Sequence, residues 1–170
     1  SVIYRVDLGG RRIIKKKKMA ATDEMVAIAL KVVPHAACLV PERREERTTE
    51  GGLDVAAQRD QLASVVRKLK YAGIRVSLFI GPDLEQISAA KAFGAYAVEI
   101  HTGQYADAPN DAEATLELKK VAMAVEHAHE LGLRVNAGHG LNYHNVQRIA
   151  ALREPRDGPA KIAGLRGQPE

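Results

Sequence analysis

The chain has 170 residues, a formal net charge of +4, 46% hydrophobic residues and only 4% aromatic ones, with no tryptophan. That length allows one domain with a real core, and so few aromatic side chains argue against a base-stacking surface for nucleic acid. The single cysteine, Cys38, excludes an internal disulfide and fits a reducing cytoplasm. No apolar run is long enough to span a membrane, and no secretory leader pattern opens the chain.

The positive charge is loaded near the N-terminus, in Arg11, Arg12 and Lys15 to Lys18. Such a run reads as a solvated, disordered segment, the alternative being a contact for acidic partners or nucleic acid. One or two strands are expected around residues 2–6 and 12–14. Thr22 before Asp23 and Glu24 then marks a helix start. That helix runs to about Lys31, Pro34 ends it, and Ala36 to Val40 follow as a strand.

From there one grammar repeats three times. Gly73, Gly94 and Gly132 each close a helix and lead almost at once into an apolar strand, at 74–80, 95–100 and 133–137. Glycine suits the position after a helix because it accepts positive φ without penalty. Leu62, Val65, Val66 and Leu69 form one helical stripe, and Leu118, Val121, Ala122 and Val125 form another. Asp54 is the expected cap of the first helix, and Asn110 or Asp111 of the second. A last helix is expected from about Tyr143. Strands that are apolar on both faces, alternating with helices, imply a parallel α/β sheet with right-handed crossovers.

Polar and titratable residues gather where these strands end. Glu99 and His101 alternate on one strand, so a regular strand points them to the same side. The next strand ends in Asn136 and the turn Gly138-His139-Gly140. The glycines let the backbone turn sharply and approach a ligand, and the histidine can move protons near neutral pH. A β/α barrel places its active site at this end, and so does an open doubly wound sheet; the local pattern fits both.

Five segments in order resemble the pyridoxine 5′-phosphate synthase family. They are Cys38 to Glu46, Thr48 to Val55, Gly73 to Ile80, Val98 to Gly103, and Val135 to Val146, within a stretch from about Met19 to Leu152. The resemblance implies an α/β fold, a parallel (β/α) barrel of the TIM type, commonly a cytoplasmic homo-octamer. It implies a transferase of vitamin B6 biosynthesis that condenses 3-amino-2-oxopropyl phosphate with 1-deoxy-D-xylulose 5-phosphate. The products are pyridoxine 5′-phosphate, phosphate and water. No metal and no organic cofactor is implied; the partners are small phosphorylated substrates, with no nucleic acid or membrane. Carried over by motif, His139 is the general acid/base, Glu99 stabilises the transition state, Thr48 contacts the deoxyxylulose phosphate and Gly140 contacts the amino ketone phosphate. Gly51-Gly52 and Gly138–Gly140 are turns whose N–H groups suit phosphate.

Both ends depart from the family pattern. Lys18 stands where the family carries a catalytic glutamate, and Arg153 to Pro159 breaks the pattern that should continue to a final strand. The expected organisation is an atypical basic segment at 1–18, a partial barrel at 19–152 and a Pro/Gly-rich, mobile tail at 153–170. A complete barrel needs about 200–250 residues, so the barrel is expected to be incomplete, as in a truncated or frame-shifted gene. A non-catalytic remnant that at most binds phosphorylated ligands is therefore the second reading. Thr49 and Glu50 read as loop residues, His35 as structural, and Cys38 as a small buried apolar group. His127 and His129 fit a helix C-terminus. A metal held by Glu99 and His101 with His139 or His144 is the alternative reading of these residues.

Overall fold

The computed structural model describes the backbone of residues 2–6, 12–154, 158–159 and 161–162, and the side chains of residues 16–152. Strands β1 (Val2–Val6) and β2 (Arg12–Met19) pair antiparallel. The alternation then begins: α1 (Asp23–Val32), β3 (Ala36–Leu39), a 3-10 turn at Arg44–Glu46, α2 (Arg59–Tyr71), β4 (Arg75–Ile80) and α3 (Leu84–Ala92). It continues with β5 (Ala97–His101), a short α4 (Gly103–Ala106), α5 (Asp111–Glu130), β6 (Arg134–Gly138) and α6 (Val146–Ala150). Short strands β7 (Arg153–Glu154), β8 (Gly158–Pro159) and β9 (Lys161–Ile162) follow. The sheet order is β1-β2-β3-β4-β5-β6-β9, with β2 to β6 parallel throughout. This is the α/β architecture of the TIM type, present as an open arc: among the described residues no pairing joins β1 to β9. No helix of the described residues is long and apolar enough to cross a membrane.

The basic run departs from its expected disorder: Lys15 to Lys18 lie within β2, which pairs with β3 from Lys16↔Ala36 to Met19↔Leu39. A fixed carboxylate, described below, gives two of these lysines a partner that local pattern does not reveal. The segment expected to be a tail supplies β9, paired with β6 through Asn136↔Lys161 and Ala137↔Ile162. Arg11 and residues 163–170 lie outside the described residues.

Period 2 splits each strand between two faces. Met19, Ala37, Leu39, Val76, Leu78, Ile80, Val98, Ile100, Val135 and Ala137 face the helices and are buried with them. The α2 stripe Leu62, Val65, Val66 and Leu69 seats against this face. On α5 the seated stripe is Val121, Ala124, Val125 and Ala128, rotated slightly from the expected one, so that Leu118 and Ala122 are only half-buried. The opposite, inner face carries Lys16, Lys18, Cys38, Ser77, Phe79, Glu99 and His101, and it holds the chemistry.

Helix boundaries follow their caps. Thr22 caps α1 by accepting from the Met25 N–H, and Asn110 caps α5 by accepting from the Glu113 N–H. Gly73, Gly94 and Gly132 adopt φ of +79°, +82° and +71°, and the residue after each donates back along the helix to close the turn. Asp54 does not cap α2, which starts after Gln58. Its Oδ1 accepts instead from the Ala57 N–H and from Gln86 Nε2, binding the loop before α2 to α3. The last helix starts at Val146 rather than Tyr143, because Asn142 and Asn145 first close a hydrogen-bonded turn.

Candidate active site

Phe79, Glu99, His101 and His139 arise from three adjacent strands near their C-terminal ends. Phe79 and Glu99 are register partners across β4 and β5, and His101 is the partner of Gly138, the residue before His139. The two imidazoles stack, with ring centroids 4.5 Å apart and planes 25° apart. Phe79 meets the His101 ring edge-on at 5.0 Å. His139 is exposed and takes φ +94°, a conformation a non-glycine residue adopts only when its surroundings impose it. The imposing contact is Thr102: fully buried, its hydroxyl donates to the His139 carbonyl at 2.7 Å and its N–H to the Gly138 carbonyl.

His101 is half-buried and packed by several neighbours. Its Nδ1 accepts the Gly103 N–H at 3.1 Å, which leaves the hydrogen on Nε2 in the neutral ring. A methyl group at Gly103 would stand 2.3 Å from the ring, and one at Gly51 3.3 Å from Nε2, so two glycine backbones pack against it. Burial, helped by the neighbouring His139, drives the His101 imidazole down to about 4. It is therefore an uncharged platform beneath His139 at neutral pH.

The Gly51 contact also brings the Thr48 loop to this end. The Thr48 carbonyl accepts from the Gly51 N–H, and the Thr48 N–H donates to the Gly52 carbonyl. Among the described residues Thr48 Oγ1 is buried without a hydrogen-bond partner, as a group kept for a ligand would be. Gly52 is clamped on the chain after β4, where a methyl group would fall 2.2 Å from the Gly81 nitrogen. Gly140 has φ +71° and packs against Ala106, and its carbonyl accepts from Asn145 Nδ2.

Glu99 lies two residues before His101 on the same face, with 1% of its side chain exposed. Lys16 Nζ donates to one of its oxygens and Lys18 Nζ to the other, each at 2.7 Å. Burial alone would push this carboxyl up; the two lysines more than offset that and leave it below its ordinary value. Cys38 Sγ sits 3.7 Å from Glu99 Oε2, and burial with the Glu99 charge pushes this thiol up to about 11. Lys18 Nζ also lies 5.3 Å from the centre of the Phe79 ring.

The four residues picked from sequence thus gather at one end of the sheet, Glu99 one layer below His139. Sequence reasoning missed Phe79, Thr102 and Lys16, and gave His101 no role beyond a metal. The signal for Lys16 and Lys18 was their i, i+2 spacing, which is legible only once the run is known to be a strand. His144 is exposed, and among the described residues no group of three potential ligands could hold a metal. His127 does sit near a helix end, but its Nε2 lies 2.9 Å from Ser88 Oγ. The His35 side chain is exposed, and its carbonyl accepts from the Arg75 N–H. Glu50 carries a buried oxygen with no hydrogen-bond partner among the described residues, and burial raises its carboxyl.

The family model described as "Pyridoxal phosphate biosynthesis protein PdxJ" matches residues 14–157. This chain belongs to the PdxJ family. A pyridoxine 5′-phosphate synthase from Photobacterium profundum is 58% identical over 137 residues, which are 81% of this chain and 56% of that protein. The chain thus spans little more than half the length of this curated PdxJ relative. Two solved structures share the fold alone. A xylose isomerase domain protein from Planctomyces limnophilus has TM-score 0.54 at 12% identity, over 83% of this chain and 60% of its own. An O-GlcNAc hydrolase from Thermobaculum terrenum has TM-score 0.55 at 10% identity, over 87% of this chain and 39% of its own.

Proposed function

We propose that the chain acts in vitamin B6 biosynthesis as a pyridoxine 5′-phosphate synthase, a transferase that joins 3-amino-2-oxopropyl phosphate to 1-deoxy-D-xylulose 5-phosphate. The observation that carries the reading is the exposed His139 imidazole stacked on neutral His101, with the buried Glu99 carboxylate beneath them. Imine formation, dehydration and ring closure are successive proton transfers, and His139 is placed to make them. Glu99, held ionised, stabilises cationic states that form on the way. Thr48 Oγ1 binds the deoxyxylulose phosphate, and the Gly140 turn binds the amino ketone phosphate. A cytoplasmic homo-octamer completes the reading.

Steady-state turnover with both phosphorylated substrates tests it. Pyridoxine 5′-phosphate formation that is lost in His139→Ala supports it; no product above background refutes it. A second reading, ligand binding without turnover, is favoured by one feature: Lys16 and Lys18 occupy both oxygens of Glu99. Calorimetric binding of 1-deoxy-D-xylulose 5-phosphate without product would select it.

A further inference from the structure

The cluster of Lys16, Lys18 and Glu99 is unlike an ordinary surface ion pair. Its carboxylate is buried, both ammonium groups are within 2.7 Å of it, and the lysine side chains keep 23% and 36% of their surface exposed. Two cations face one anion, so the cluster carries a net positive charge on the inner face. Lys18 is the more accessible amine. It stands nearer the C-terminal end of its strand and over Phe79, which touches the His101 that supports His139. A primary amine on the inner face of this sheet, with a carboxylate in hydrogen-bond contact to take and return its protons, is suited to carbonyl condensation.

We propose that Lys18 is a covalent carbonyl-binding site that forms a protonated imine with phosphorylated ketones. The ligand class rests on the reading above, in which this face receives a phosphorylated ketone. Lys18 Nζ passes a proton to Glu99 Oε1, and the freed lone pair adds to the carbonyl carbon while the C=O π pair moves to oxygen. That oxygen takes the proton from Glu99, giving the carbinolamine with its nitrogen still protonated. Nζ returns a second proton to Glu99, which delivers it to the departing hydroxyl. Water leaves as the nitrogen lone pair forms the C=N bond. One ammonium and one carbonyl become one iminium and one water. The cation facing Glu99 is unchanged in sign and place, so the same contact that holds the ammonium stabilises the product. Lys16 keeps its own bond to Oε2 and supplies positive charge toward the phosphate of the ligand.

Dihydroxyacetone phosphate is the probe, with sodium borohydride to reduce the imine to a stable amine. Peptide mass mapping locates the adduct directly on the unsubstituted protein. The expected result is labelling of Lys18 about tenfold faster than Lys120, an exposed lysine with its own carboxylate partner. Lys18→Arg, which keeps the cation on Glu99 but lacks the nucleophile, abolishes the adduct while leaving the circular dichroism spectrum in place. No adduct, an adduct on Lys16, or labelling of Lys18 and Lys120 at equal rates overturns the proposal. Trapping does not require turnover. A protein trapped at Lys18 but inactive as a synthase keeps this inference and retires the other, and turnover without trapping does the reverse.

Discussion

Replacing Glu99 by glutamine removes the one negative charge between two lysines and keeps the side-chain shape. Each hydrogen bond to a charged partner is worth about 1.5–3 kcal/mol, which would sum to about 3–6 kcal/mol for the pair. Lys16 and Lys18 are partly exposed and can turn toward water, so solvent screening reduces the sum. The expected loss is about 2–3 kcal/mol at pH 7, read as a shift of the urea unfolding midpoint with unchanged slope. The pH dependence has a definite sign. The folded Glu99 carboxyl lies below its ordinary value of 4.5, so its contribution is complete above that value and disappears as pH falls through the lower folded one. The gap between the two proteins therefore closes in acid. A triple variant, Lys16→Met, Glu99→Leu and Lys18→Met, removes all three charges and should recover to within about 1 kcal/mol of the parent, since apolar replacements of buried ion clusters are often neutral. A Glu99→Gln loss under about 0.5 kcal/mol, the size of an ordinary surface substitution, would show that the cluster is a solvated pair and sink the argument.

Three further outcomes are expected. Gly52→Ala should cost about 2–3 kcal/mol in chemical denaturation, because its methyl group meets the backbone of Gly81 rather than a movable side chain; a neutral result would mean that the two loops are not in contact. The His101 imidazole should titrate near pH 4 in side-chain NMR, well below its ordinary 6.5. Its contribution to stability is then present above pH 6.5 and lost as pH falls through 4, and a midpoint above 6 contradicts the packing described for this ring. Cys38, with its thiol at about 11, should react with a disulfide reagent at least roughly 100-fold slower in the folded protein than in urea; equal rates would place it in solvent.

Local chemistry made much of this protein readable from its sequence. Gly73, Gly94 and Gly132 mark helix ends because a left-handed turn there nearly demands glycine, and the apolar runs after them can only be buried strands. The Gly-His-Gly turn and Glu99 stand out because a titratable group beside glycines, or inside an apolar strand, has no packing reason to be there. The family motifs span these same elements, so fold type and family were legible together.

Tertiary structure decided what depended on distant partners. Asp54 reads as a helix cap until Gln86, on another helix, is seen to hold it. Thr102 looks like a plain loop residue until its hydroxyl is found fixing the His139 backbone. Lys15 to Lys18 look soluble and disordered because charge without a partner prefers water. Glu99 lies more than 80 residues away along the chain and supplies that partner only once the four parallel strands β2 to β5 bring it across the inner face. Sequence determines which residues can form a strand or a turn, since those preferences are local. Which charges neutralise one another depends on distances through space, and the fold alone sets those.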